Sequence, residues 1–227
     1  MNPLEFIMPT KLLHNLSDRP SISNYFLAQL RDVKVQNNRF LFRKNVERLG
    51  NILAYEISKY LHYEEKEFET PLGIAKVDYP TSNVVLCTIL RAGLPLHYGL
   101  LEFFDQADNA FIAAYRKNHK DGTFEINLEY ITCPDLSNKV LILVDPMLAT
   151  GASIIKTLDS LSEFGEFTEL HIVSVIASSY GIKQIERLFP KAHIWMAAED
   201  EELTAKSYIV PGLGDAGDLS FGRKRQE

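Results

Sequence analysis

Cysteine is scarce in this sequence. Only Cys87 and Cys133 occur among 227 residues, too few for a disulfide framework, and neither has a neighbour at metal-ligand spacing. Cys87 lies in an apolar run and reads as a packed thiol. Long hydrophobic runs are missing too: no segment approaches the ~18 consecutive apolar residues of a membrane span. The opening residues include Glu5 and no cleavable apolar core, so no signal peptide is expected. There is no basic surplus. A net charge of −6 argues against general electrostatic binding to nucleic acid. The one dense basic stretch, GRKRQE at the C-terminus, reads as a solvated tail. These absences point to a reduced, cytoplasmic setting, with neither membrane nor nucleic acid as a partner. Internal repeats and low-complexity linkers are also absent. The six histidines (His14, His62, His97, His119, His171 and His193) are scattered and form no His/Cys metal constellation.

A hydrophobic fraction of 46% is ample for one large core, and the length suits one domain. A helix is expected from about Ser23 to Val33, capped by Ser21 or Ser23. A longer one is expected from Arg39 to Leu61, where Phe42, Val46, Leu49, Leu53 and Ile57 recur at three- and four-residue intervals. EFETPLGIAKVDY reads as two strands around a Pro-Leu-Gly turn. Short apolar strands then alternate with helices: NVVLCTIL, NAFIAAY, KVLILVD, TELHIVSVIAS and AHIWMAA are strands. The helices between them include SIIKTLDSLSEF and YGIKQIERLF. Continuous Val/Ile/Leu strands with helical crossovers imply a parallel sheet covered on both faces. Ligands of such sheets gather at the carboxyl ends of the strands. Three loops occupy such ends, after Leu90, after Val144 and near Ala198.

KVLILVDPMLATGAS places Asp145 at the end of a strand and Thr150, Gly151 and Ser153 at the start of a helix. A helix N-terminus offers unpaired N–H groups to a phosphate, and the two hydroxyls add donors. An ordinary capped strand-loop-helix turn has the same spacing. The absence of GK[ST] leaves a Walker-type ATP loop without support. TILRAGLPL puts Arg91 directly after another buried strand, either as a phosphate ligand or as a surface arginine common to any α/β protein. Near the C-terminus, PGLGDAGDLSFG contains GxGxxG at Gly212, Gly214 and Gly217. As a dinucleotide fingerprint it would need a following βαβ unit and an acid about 20 residues on, and the ten residues after Gly217 provide neither.

Three separated motifs, in the chain order ILRAGLPL, VDPMLATGAS and PGLGDAGD, resemble the type I phosphoribosyltransferases, and specifically the uracil phosphoribosyltransferase family. The likeness covers most of residues 37–222. It implies an α/β fold with a central, mostly parallel sheet flanked by helices over residues 83–198. A small hood and base-binding elements would come from residues 1–80 and 199–227. It implies the transfer of a phosphoribosyl group from phosphoribosyl pyrophosphate (PRPP) to N1 of uracil, giving UMP and pyrophosphate.

The resemblance assigns the 5-phosphate loop to Asp145, Pro146, Met147, Leu148, Ala149, Thr150, Gly151, Ala152 and Ser153, with Asp145 facing the ribose hydroxyls. Relatives that take other bases have a second acid beside Asp145 and another before the Thr-Gly. Pro146 and Ala149 stand there in this chain, as in the uracil branch, which removes the obvious general base from the loop. Arg91 and Arg116 are assigned to pyrophosphate. Ile209, Gly214, Asp215 and Ala216 are assigned to uracil, and Asp215 also to PRPP. Asp145, Asp215 and Arg116 form the implied catalytic set. Mg²⁺ is the implied cofactor, carried by PRPP, with no direct protein ligand beyond a water-mediated contact to Asp145 or Asp215. A mobile lid is expected after Tyr115-Arg116, although its wording departs from the family's. Lys117, His119 and Lys120 read as a solvated loop face. A homodimer or larger homo-oligomer is implied. GTP activates parts of the family, but no residue pattern here establishes it as an effector. The rival classes are a non-enzymatic nucleotide-binding regulator of RNA and an enzyme for another base.

Overall fold

A computed structural model describes residues 12–118 and 124–224 of the chain. In chain order it contains β1 (Leu13–Asn15), α1 (Ile22–Arg31), α2 (Arg39–Ser58), β2 (Tyr63–Thr70), β3 (Gly73–Pro80), β4 (Val84–Leu90) and α3 (Leu94–Leu101). Then come β5 (Asp108–Asn118), β6 (Phe124–Thr132), β7 (Val140–Val144), β8 (Met147–Leu148), α4 (Ala152–Leu161), β9 (Glu169–Ser178) and α5 (Ser179–Leu188). The last elements are β10 (His193–Asp200), β11 (Glu202–Leu203), β12 (Ile209–Val210) and α6 (Ala216–Phe221).

The main sheet runs β1-β10-β9-β7-β4-β5-β6, and β8 pairs with β9. All its pairings are parallel except β5 with β6. The apolar strands alternate between two cores. Val84 and Leu86 of β4, with Val140, Ile142 and Val144 of β7, pack under α1, α2 and α3. Val85, Cys87 and Ile89, with Leu141 and Leu143, pack under α4 and α5. A strand covered on both faces has no polar side to show, which is why these stretches read as unbroken hydrophobic runs. Burial pushes the Cys87 thiol far above its ordinary range, consistent with an inert packed group.

Helix starts follow local chemistry. Ser21 caps α1 in a capping box with Asn24, and the Asn38 side chain accepts from Leu41 N–H at the start of α2. One expectation is corrected. The strand expected to stop at Tyr115 continues to Asn118 and turns back into β6, with Arg116 opposite Ile126. FEINLEYI alternates apolar and polar residues, the period of a strand, so part of the expected lid is regular sheet. The remaining lid positions 119–123, and the side chains of Tyr115, Arg116 and Lys117, lie outside what is described.

Two features stand apart from the carboxyl edge of the sheet. β2 and β3 form a separate two-stranded antiparallel sheet whose residues, except Ala75, are exposed. At the amino ends of β9 and β10, three histidines stack. His14 lies 3.7 Å from Trp195 between ring centres, and His14 Nε2 is 3.1 Å from His193 Nδ1. His171 Nδ1 accepts from Trp195 Nε1 at 3.1 Å. Among the described residues no helix is long and apolar enough to cross a membrane.

Candidate active site

The loops after β4 and β7 emerge side by side because their strands are neighbours, with Thr88 opposite Val144. Gly93 fits where the two loops meet. A Cβ there would stand 2.2 Å from Thr88 Oγ1, 2.8 Å from the Ile89 carbonyl and 3.1 Å from the Val144 carbonyl. Only glycine permits that approach. The Arg91 loop and the Asp145 strand end are thereby locked against each other.

Asp145 follows the last residue of β7. Its N–H donates to the Val173 carbonyl, and Oδ1 accepts from Met147 N–H at 3.2 Å. Desolvation pushes its carboxyl up to about 6, against the opposing pull of the Met147 N–H. Pro146, Met147 and Leu148 run along β9, where the Pro146 carbonyl accepts from Val175 and Ile176 N–H. Gly151 takes the left-handed conformation at the start of α4, with φ of 80°, and Ala152 N–H donates to Thr150 Oγ1 at 3.3 Å. The turn opens towards solvent at half-buried Thr150, Ala152 and Ser153, as an anion cradle requires. Ser178 hydroxyl donates to the Ala149 carbonyl and accepts from Gly181 N–H at 2.9 Å. The start of α5 therefore props the loop from behind. Neither Ser178 nor Gly181 carried a sequence signal for this role.

Arg91 follows a cis Leu90–Arg91 peptide. Its Nη2 donates to Asp218 Oδ1 at 3.0 Å and to the Gly222 carbonyl at 2.7 Å. The C-terminal motif thus folds back onto the arginine loop. Gly217 packs there: a Cβ on it would meet Asp215 Oδ1 at 3.2 Å and Ala92 Cβ at 3.7 Å.

GxGxxG does not sit between a parallel strand and a crossover helix. It follows β12, a two-residue strand antiparallel to β11. After it comes the six-residue α6, capped by Asp215, whose Oδ1 accepts from Asp218 N–H at 2.9 Å. Lys224 Nζ stands 3.8 Å from the other Asp215 oxygen. Ile209 and Ala216 are buried, Asp215 is half-buried, and Gly214 is exposed with φ of 95°. A cleft of about 560 Å³ adjoins this loop, lined in part by Gln36, Arg39, Gly214, Asp215 and Arg223.

The sequence-predicted residues Arg91, 145–153, Asp215 and Ala216 therefore lie in three segments that meet at one edge of the sheet, the Arg91 loop touching the end of β7 through Gly93 and the C-terminal segment through Asp218 and Gly222. Arg116 is placed only through its backbone on β5, next to β4. Among the described residues no three His, Cys, Asp or Glu side chains converge on a metal position. His97 is buried and packs against Phe111, with ring centres 5.3 Å apart.

A sequence profile described as "Uracil phosphoribosyltransferase" matches residues 16–223. A uracil phosphoribosyltransferase of Porphyromonas gingivalis is 47% identical over 211 residues, covering 92% of this chain and 98% of that protein. One from Thermococcus gammatolerans is 40% identical over 215 residues, covering 92% and 93%. A solved structure from Aquifex aeolicus superposes with a TM-score of 0.83 at 31% identity, covering 92% of this chain and 98% of that one. With that profile across residues 16–223 and relatives of 40–47% identity over 92% of its length, the chain belongs to the uracil phosphoribosyltransferase family.

Proposed function

We propose that this protein transfers the 5-phosphoribosyl group of PRPP to N1 of uracil, releasing pyrophosphate and forming UMP. The observation that carries the reading is the bond from Arg91 to Asp218. It brings an arginine assigned to the leaving group against the loop assigned to the base, beside the Thr-Gly loop assigned to the 5-phosphate. Donor and acceptor substrates would then meet over the ends of β4 and β7.

In this reading residues 145–153 hold the 5-phosphate, and the Asp145 carboxylate accepts from the ribose hydroxyls. Bond breaking at the anomeric carbon builds oxocarbenium character on the ribose and negative charge on pyrophosphate. Arg91 and Arg116 stabilise that charge. Ile209, Gly214, Asp215 and Ala216 hold the flat base through backbone groups, with N1 towards the anomeric carbon. Asp215 also reaches PRPP. Mg²⁺ would arrive with PRPP and neutralise its phosphates. Asp145 and Asp215 are hard oxygen donors suited to its water shell, and each already uses one oxygen on a backbone N–H. Residues 83–198 act as the PRPP-binding core, and residues 1–80 and 199–227 as the hood that carries the base site.

The protein would work in the cytoplasm as a homodimer or larger homo-oligomer. The β2–β3 sheet supports assembly, because an isolated two-stranded hairpin is at best marginally stable in water, and a second copy would cover its exposed Leu72, Ile74 and Val77. GTP is an effector to be tested.

Radiolabelled uracil incubated with the protein, PRPP and Mg²⁺, with and without GTP, tests the reading. UMP formation with a strong preference for uracil over cytosine, hypoxanthine and orotate is expected. No UMP, together with tight salt-dependent RNA binding, would overturn it in favour of a regulator.

A further inference from the structure

Asp200 ends β10 and is 6% exposed. A carboxylate so placed needs compensation, and Arg31, at the end of α1, supplies it through a two-pronged pair. Arg31 Nη1 donates to Asp200 Oδ2 at 2.8 Å, and Nη2 donates to Oδ1 at 2.8 Å. The pair does not close on itself. Asp200 Oδ2 also accepts from Gly212 N–H at 2.9 Å, and Arg31 Nη1 also donates to the Gly212 carbonyl at 3.0 Å. One ion pair therefore holds both polar backbone groups of a single loop residue. Gln36 extends the clamp, its Nε2 donating to the Leu213 carbonyl at 3.2 Å and to the Leu30 carbonyl at 2.9 Å.

Gly212 is the turn on which the base loop hinges. It has φ of 57°, and a Cβ on it would stand 2.3 Å from the Ile209 carbonyl. The loop contains Gly212 and Gly214, both at positive φ, so its own backbone preferences confer little rigidity. A buried ion pair adds little net stability compared with apolar residues of the same size. Geometry, not stability, is what this pair supplies to the loop. Hydrogen bonds to a flat base weaken steeply with small changes in distance and angle, so the clamp bears directly on recognition.

We infer that Arg31 and Asp200 are positioning residues that set the affinity and selectivity for the pyrimidine base by fixing Gly212 and, through it, the Ile209 and Gly214–Ala216 backbone. The inference rests on the proposed assignment of that backbone to uracil.

Two variants test it. In Arg31→Met/Asp200→Leu the pair is replaced by apolar groups of similar size, so the fold is kept while the bonds to Gly212 are lost. Arg31→Lys keeps the charge against Asp200 and loses the fork. Melting temperature, kcat, and KM for uracil and for PRPP are measured separately, with cytosine as competitor. The double variant is expected to keep a PRPP KM within twofold, raise the uracil KM tenfold or more, and discriminate less against cytosine. Arg31→Lys is expected to fall between it and the parent. An unchanged uracil KM in either folded variant overturns the clamp. A parent protein that forms UMP alongside unaffected variants sinks the clamp alone. A parent protein that forms no UMP sinks the base-site assignment beneath it.

Discussion

Asp218 accepts a hydrogen bond from Arg91 at 3.0 Å although 127 positions separate the two residues. The last helix of the chain is thereby fastened to the loop that follows β4. The arginine is half-exposed, so the pair's own contribution to stability is small, about 0.5 kcal/mol or less. Its consequence is for aim. Asp218→Asn should raise the KM for PRPP about three- to tenfold with little change in melting temperature. Arg91→Ala should lower kcat/KM for PRPP by about 10²-fold or more, the scale of losing a charge-stabilising donor. Steady-state kinetics with PRPP varied at saturating uracil decides both.

Asp145 should trade stability for function. Its folded pKa is raised to about 6 by burial, so the proton is favoured in the folded state. That contribution is fully present below the unfolded value near 3.8 and is lost as pH rises through 6. At pH 7.5 Asp145→Asn, which cannot ionise, should be more stable than the parent by ~1–2 kcal/mol, and below pH 4 the difference should vanish. The same variant should lose most turnover. Parent kcat/KM for PRPP should fall as pH is lowered through about 6. Urea melts and pH–rate profiles on the two proteins provide the check.

The histidine stack should act in the opposite sense. Burial, reinforced by His171, lowers the His193 pKa to about 4, with Glu169 opposing. A depressed histidine contributes stability above its unfolded pKa near 6.5 and loses it as pH falls through 4. Protonation would place a charge against His14 and His171. His193→Gln should flatten the decline of stability between pH 6.5 and 4 by ~1–3 kcal/mol, without altering uracil or PRPP KM at pH 7.5. A decline as steep as the parent's would contradict this.

Gly93→Ala should be severe for a single methyl group. The new Cβ would meet one hydroxyl and two backbone carbonyls within 3.1 Å, and relief requires moving the Arg91 loop away from Asp145. A destabilisation of about 1–3 kcal/mol and a PRPP KM raised at least tenfold are expected, the latter read by PRPP titration at a temperature where the variant remains folded.

Removal of the hairpin between Tyr63 and Pro80 should reduce the assembly size, measured by sedimentation. An unchanged oligomer would place the interface elsewhere.

Much of the framework was legible because its signals are local. The apolar runs of β4, β7 and β9 have the composition of doubly covered strands, and Ser21, one of the two serines offered as the cap of α1, is the one that fills that role. The Arg91 and Asp145 loops are legible because both follow such runs. β6 is hidden behind the lid that the family resemblance implies for this stretch, despite the period-two pattern in FEINLEYI. The residues that support the site were not legible, for a different reason. Arg31 meets Asp200 across 169 positions and Arg91 meets Asp218 across 127. No window of sequence holds both halves of either pair, and an arginine by itself looks like any other surface cation. Ser178 was hidden in the same way, since a serine that ends a strand usually does no more than cap the next helix.

The fastening of Gly212 between Asp200 and Arg31 also orders events during synthesis. The groups that prop the 145–153 turn from behind are all available once residue 181 has been made, because they come from β9 and the start of α5. The clamp on Gly212 can close only after residue 212 has returned to α1, made some 180 residues earlier. In a chain made from its N-terminus, the support of the 145–153 turn can therefore close before the clamp on Gly212, and the fastening of Arg91 to Asp218 and Gly222 closes later still.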